Sequence, residues 1–168
     1  IGCREFACRQ LLDEALAEDV AQRLAAGITQ RGSASLALSG GATPAHFLRL
    51  LSTRMLPWDR VTVTLVDERW VPAVHTDSNE RLLRENLLVN AAGAARIVSL
   101  RGVAESLAEA AHACEQAWAR LGIFEVVVLG MGADGHTASL FPGAEALGLG
   151  LDLASGRGCI VVHPPAAR

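Results

Sequence analysis

The sequence predicts an α/β domain: a mostly parallel sheet with helices on both faces, in three layers. Two observations carry this expectation. Short β-branched or apolar runs alternate with longer segments of helical periodicity along the whole chain. Three of those runs lead straight into polar loops, two of them glycine-rich, as strands do where a parallel sheet hands over to a helix.

Residues 9–26 form the first amphipathic pattern, with Leu12, Leu16 or Ala17, Val20 and Leu24 on one face and Gly27 as a stop signal. Ala34 to Leu38 is a short strand closed by Ser39-Gly40-Gly41. Thr43 is a good N-cap and Pro44 suits a first helical turn, so a helix runs from there to about Leu51. Val61 to Val66 is β-branched and reads as a strand that ends in Asp67-Glu68-Arg69-Trp70-Val71-Pro72. Asp77 followed by Glu80 resembles a capping box, with a helix to about Leu88. Ile97-Val98 is a further short strand. Residues 105–121 give the clearest helix, with Leu107, Ala111, Cys114, Trp118 and Leu121 at helical spacing. Phe124 to Leu129 reads as a strand of the buried type, followed by the loop 130–136. Thr137 to Phe141 is expected to be a short helix ended by Pro142-Gly143, and Ile160 to Val162 a last strand.

Composition excludes several kinds of chemistry. The 168 residues carry 15 basic side chains against 18 acidic ones, and every basic one is an arginine. With no lysine there is no Schiff base and no P-loop lysine for a nucleotide phosphate. With no tyrosine there is no phenolic acid. A net charge of −3 argues against nucleic acid as partner. No apolar run approaches the roughly 18 residues a membrane span needs. The cysteines at 3, 8, 114 and 159 form no C-x-x-C pair and suggest no zinc site. Buried, inert thiols in a reducing cytoplasm are the expectation. The length fits one domain with a real core, residues 1–168, expected to be incomplete at both ends.

In open α/β sheets, ligands bind beyond the carboxyl ends of the strands. Three polar loops fall there. In Ser39-Gly40-Gly41-Ala42-Thr43 the glycines let backbone N–H groups approach an anion, and the next helix start favours negative charge. A phosphate monoester suits it, although a tight turn that binds nothing would use the same glycines. In Asp67-Glu68-Arg69, alternation puts Asp67 and Arg69 on one face and Glu68 on the other. Arg69 would hold an anion and Asp67 orient a catalytic group or a sugar hydroxyl. The alternative is a solvated strand end with a local ion pair. In the third loop, His136 follows a glycine turn beside Asp134 and can act as a base near neutral pH, or simply cap the turn. His46, His112 and His163 read as structural or solvated, and His75 as a residue bordering a site at most.

Gly130-x-Gly132-x-x-Gly135 also matches a dinucleotide fingerprint, but Pro142 cuts short the helix that such a site needs. No strand with a terminal acid follows about 20 residues on. G-x-S-x-G is absent, so no serine on a nucleophile elbow is expected.

Taken together, Ser-Gly-Gly-Ala-Thr-Pro (39–44), Asp-Glu-Arg-Trp-Val-Pro (67–72) with His75, Asp77, Ser78 and Asn79, and Gly-Met-Gly-Ala-Asp-Gly-His-Thr-Ala-Ser-Leu-Phe-Pro (130–142) resemble the 6-phosphogluconolactonases. These belong to the superfamily that includes glucosamine-6-phosphate deaminase. The resemblance spans residues 35 to about 165. It implies a Rossmann-like fold and hydrolysis of a sugar-phosphate lactone, 6-phospho-D-glucono-1,5-lactone, in the oxidative pentose phosphate pathway. It implies no metal or organic cofactor, and a monomer is favoured. His136 matches the family's water-activating base, and Asp67 and Asp134 match polar residues of the pocket. Ser39, Gly40, Gly41 and Thr43 match the sugar-phosphate loop, and Arg69 an arginine on the phosphate side. Arg69 is the one well-placed cation expected within the chain, with a second expected beyond Arg168. The deaminase branch has Asn-Glu where this chain has Leu140-Phe141, which favours the lactonase. A non-catalytic sugar-phosphate module would keep the glycine loop and lose the base, so His136 with Asp67 argues against it.

Overall fold

The computed structural model describes residues 2–164. Four parallel strands form one sheet: β1 (Ala34–Leu38), β2 (Val61–Leu65), β3 (Arg96–Val98) and β4 (Val126–Val128), in the spatial order β3-β2-β1-β4. The helices are α1 (Arg9–Arg31), α2 (Ala45–Ser52), α3 (Asn79–Asn86), α4 (Leu107–Leu121) and α5 (Leu147–Leu151). The chain therefore walks outward from β1 to β3 and returns to the other side of β1 with β4.

The two sheet faces are unequal. Leu36 and Leu38 of β1 and Val61, Val63 and Leu65 of β2 point, at period two, into one apolar core. That core is completed by Val20 and Leu24 of α1, Phe47, Leu48 and Leu51 of α2 and Leu83 of α3. Several of these side chains are wholly buried, each contributing about 1.5–3 kcal/mol of transfer free energy. The opposite face carries Ala37 and Thr64, and α4 covers it. Trp118 Nε1 donates to Thr64 Oγ1 at 3.2 Å, and its ring meets Phe124 edge-on. Cys114 is buried in α4, whereas Cys3 and Cys8 are exposed.

Several expectations need correction. Helix α1 does not stop at Gly27 but runs to Arg31, and Gly32 ends it at φ 80°. Gly27 has another reason: a Cβ there would lie 2.5 Å from Glu125 Cγ, whose carboxylate pairs with Arg31. Ser78, not Asp77, caps α3, its Oγ accepting from Arg81 N at 3.2 Å. Thr43 does not cap α2, which starts from Pro44 with no side-chain cap. The strand at 124–129 is shorter than expected, and it is a sheet edge among the described residues. Val127 and Leu129 are half exposed. Thr137 to Phe141 is a turn with a Thr137–Leu140 bridge, because Ala138 takes φ 50°, outside helical space. Residues 160–162 run without joining the sheet. Helix α5 had no periodic signal, since glycines fill two of its five positions. Among the described residues, no helix is long and apolar enough to cross a membrane.

Candidate active site

Where a parallel sheet reverses its winding, the loops on either side part and leave a crevice. Here the reversal lies between β1 and β4, so the loops after both strands open onto it. Ser39 clamps them together. Its N–H donates to Val128 O at 3.0 Å, and its Oγ accepts from Gly130 N at 3.2 Å. The loop after β2 joins from the far side of β1. An open cleft of about 430 Å³ results, and all three loops line it. Ser39, Gly40, Gly41, Thr43, Asp67, Arg69 and His136 all reach this cleft, whereas Asp134 stands behind His136 rather than in the lining.

The glycine loop is an unfilled donor array. Among the described residues, the backbone N–H groups of Gly40, Gly41, Ala42 and Thr43 donate to no protein acceptor. Helix α2 starts immediately after with no side-chain cap. Free N–H groups at a helix start favour an anion. Gly41 needs its lack of a side chain, at φ 89°. Gly40 needs it for space: a Cβ there would fall 1.9 Å from Asn79 Oδ1.

The second loop divides its work. Glu68 turns to the start of α3, where its carboxylate accepts from Asn79 N and Glu80 N, both at 2.8 Å, and from Ser78 Oγ at 3.0 Å. Asn79 Nδ2 in turn donates to Asp67 O at 3.0 Å. Asp67 is half buried and accepts from Ser139 Oγ at 3.2 Å. Burial pushes its carboxyl above the ordinary 3.8, only partly offset by Ser139 and the Arg69 charge. The Arg69 side chain is exposed and donates to Asp77 O at 2.8 Å.

In the third loop, His136 Nδ1 stands 2.5 Å from Asp134 Oδ1, which also accepts from His136 N at 3.2 Å. These hydrogen bonds hold the Asp134 carboxyl below 3.8. Phe141 lies against the imidazole, ring centroids 4.8 Å apart. The turn leaves no room for a side chain at Gly132, where a Cβ would fall 2.2 Å from His136 Cε1. Several N–H groups of this turn are already used: Gly130 on Ser39 Oγ, Gly132 on His136 O and Gly135 on Gly132 O. Of the loop residues that line the cleft, Met131 has a backbone N–H that meets no acceptor among the described residues.

Sequence reasoning missed four contributors. Glu68 and Asn79 brace the loops, Ser139 binds Asp67, and Arg9 of α1 lines the cleft beside the glycine loop. Arg69 is thus not the only cation there. A readable signal for Arg9 existed: Asp13, four residues on, occupies the apolar face of α1 and is 1% exposed. His75 lies outside the cleft lining, with Nδ1 accepting from Asp77 N at 3.1 Å. His46 pairs with Asp13. Among the described residues, no group of three His, Cys, Asp or Glu side chains could hold a metal ion.

Residues 8–168 match the family model described as glucosamine-6-phosphate isomerases/6-phosphogluconolactonase. The chain is 50% identical over 165 residues to a 6-phosphogluconolactonase of Pseudomonas putida, covering 98% of this chain and 68% of that protein. It is 53% identical over 157 residues to one of Rhizobium meliloti, covering 93% of this chain and 68% of that protein. A crystal structure of a 6-phosphogluconolactonase from Shewanella baltica superposes with a TM-score of 0.91 at 38% identity. That match covers 97% of this chain and 70% of the other.

Proposed function

Since the chain belongs to the family of glucosamine-6-phosphate isomerases and 6-phosphogluconolactonases, we propose that it hydrolyses 6-phospho-D-glucono-1,5-lactone to 6-phospho-D-gluconate, using water activated by His136. The observation that carries the reading is the shared cleft: a histidine paired to a carboxylate faces the same space as a loop of unpaired backbone donors.

In this reading the phosphate sits on the N–H groups of residues 40–43 at the start of α2, with Arg69 on its flank. Ser39 and Thr43 offer hydroxyl donors. The phosphate is remote from the reacting carbon, so its binding energy serves to place the lactone carbonyl. Asp134 takes the Nδ1–H of His136, which leaves Nε2 as the basic nitrogen. Nε2 accepts a proton from water as the water oxygen bonds to C1. The tetrahedral oxyanion then collapses, the C1–O5 bond breaks, and O5 leaves with the proton returned by His136. The new carboxylic acid ionises in solution. Asp67, with its carboxyl turned to the cleft, accepts a hydrogen bond from a sugar hydroxyl. No covalent enzyme intermediate and no metal enters this scheme. The enzyme would work on its lactone in the cytoplasm, as a monomer.

Phe141 supports hydrolysis over deamination. An apolar ring packed on His136 takes no part in proton transfer, whereas the deaminase motif has a glutamate there. The test is an assay with freshly made 6-phosphogluconolactone, corrected for spontaneous hydrolysis, on the parent chain and His136→Ala. The substitution should remove about 100-fold or more of the catalysed rate, while 6-phosphogluconate still binds. An unchanged rate would remove His136 as the base. Ammonia release from glucosamine 6-phosphate would move the chain to the deaminase branch.

A further inference from the structure

We propose that Arg9, in the first turn of α1, is a second phosphate-binding cation of the cleft, set in place by the buried Asp13. The proposal rests on the sugar-phosphate reading of the cleft and adds a contact from a part of the chain outside all three loops.

Arg9 lines the cleft together with Ser39, Gly40, Thr43, Arg69 and His136. Two partners fix its guanidinium. Nε donates to Asp13 Oδ1 at 2.8 Å, and Nη2 donates to the backbone carbonyl of Thr43. Asp13 is itself held, since its second oxygen meets His46 Nδ1 at 2.9 Å. A guanidinium carries five N–H donors in a planar fork, so these two contacts leave donors for an anion.

The Thr43 contact matters for an anion in this cradle. A carbonyl oxygen at the rim of a phosphate cradle repels the phosphate. With Arg9 bonded to it, that negative dipole end is covered by a positive charge, one hydrogen bond from the unpaired N–H groups of residues 40–43. The two sources of attraction then act on one anion. An ordinary surface ion pair explains less. In the Arg23–Asp19 pair of the same helix the acid is 41% exposed, whereas Asp13 is 1% exposed on the apolar face of α1. Burying a carboxylate there is unfavourable unless its partners compensate. What the arrangement secures is a fixed guanidinium at the cleft rim.

The experiment compares the full chain with Arg9→Met and Arg9→Lys. Binding of 6-phosphogluconate and of gluconate is measured by calorimetry, and hydrolysis of 6-phosphogluconolactone and of unphosphorylated gluconolactone by rate. Arg9→Met should weaken 6-phosphogluconate binding and raise KM for the phosphorylated lactone by about tenfold or more. kcat should stay within about twofold, and hydrolysis of the unphosphorylated lactone should not change. Arg9→Lys should recover part of the loss. Parent-like affinity of Arg9→Met for 6-phosphogluconate overturns the proposal. So does an equal loss toward phosphorylated and unphosphorylated ligands, which marks a structural role only. A parent chain that does not bind 6-phosphogluconate overturns it as well. If the parent binds 6-phosphogluconate but hydrolyses neither lactone, the lactonase reading fails, and the binding data alone decide the role of Arg9.

Discussion

A single oxygen of Asp134 holds His136 twice: Oδ1 is 2.5 Å from the ring Nδ1 and 3.2 Å from the backbone N–H of the same residue. Ring orientation and ring tautomer are thereby set by one side chain two positions away. Asp134→Asn should lower kcat for the lactone by about tenfold or more, with KM nearly unchanged, because the phosphate cradle is untouched. Steady-state rates on the phosphorylated lactone read this directly. A fall confined to KM would contradict it.

Gly132 has no room for a methyl group without moving the base, since the added carbon would sit 2.2 Å from the imidazole. Gly132→Ala should reduce kcat by at least an order of magnitude while the protein stays folded. Circular dichroism and 6-phosphogluconate binding provide the control, and both should match the parent.

Gly40→Ala should act on the other half of the site. Its Cβ would collide with Asn79, which braces Asp67 through the backbone carbonyl. The expected result is a KM increase for the phosphorylated lactone together with a lower melting temperature. A variant with parent-like KM would show that the loop yields without cost.

Asp67 gives a pH-dependent test. Its carboxyl is held above 3.8 chiefly by burial, so the folded state binds its proton more tightly than the unfolded chain does. The stabilisation is complete below 3.8 and is lost as pH rises through the raised value, so the ionised group costs stability at neutral pH. Asp67→Asn should therefore melt at or above the parent temperature at pH 7. The advantage should vanish as pH falls to the ordinary carboxylate value, while activity drops at every pH. Thermal melts across that range check the sign.

Asp13 carries the opposite sign. Burial alone would raise its carboxyl, but the hydrogen bonds from Arg9 and His46 hold it below 3.8. Its stabilisation is present above 3.8 and is lost as pH falls through the lowered value. Asp13→Ala should cost about 1–3 kcal/mol at neutral pH, read from a denaturant midpoint.

Strands β1 and β2 were legible almost to the residue, because β-branched and apolar runs met glycine and charge abruptly at their ends. So was the convergence of the three loops, which follows from placing parallel strands side by side. What escaped the sequence depended on partners far along the chain. Gly27 looked like a helix stop until Glu125 was seen to need its space. Phe124 to Leu129 looked buried by composition, but burial depends on which strands flank it. Ala138 carries no residue-type signal for φ 50°, so the turn after His136 read as helix. The role of Arg9 depends on Thr43, 34 residues on, whose carbonyl the fold brings to the guanidinium.

The clamp between Ser39 and Gly130 joins positions 91 residues apart. It forms only when β4 docks beside β1, the longest closure in the sheet, and such distant pairings form slowly. A chain that has assembled α1, β1, α2 and β2 already holds the glycine loop and Arg9, while the base on the β4 loop is still outside. On refolding, affinity for a phosphorylated sugar should accordingly return earlier than turnover, with β4 docking as the step between them.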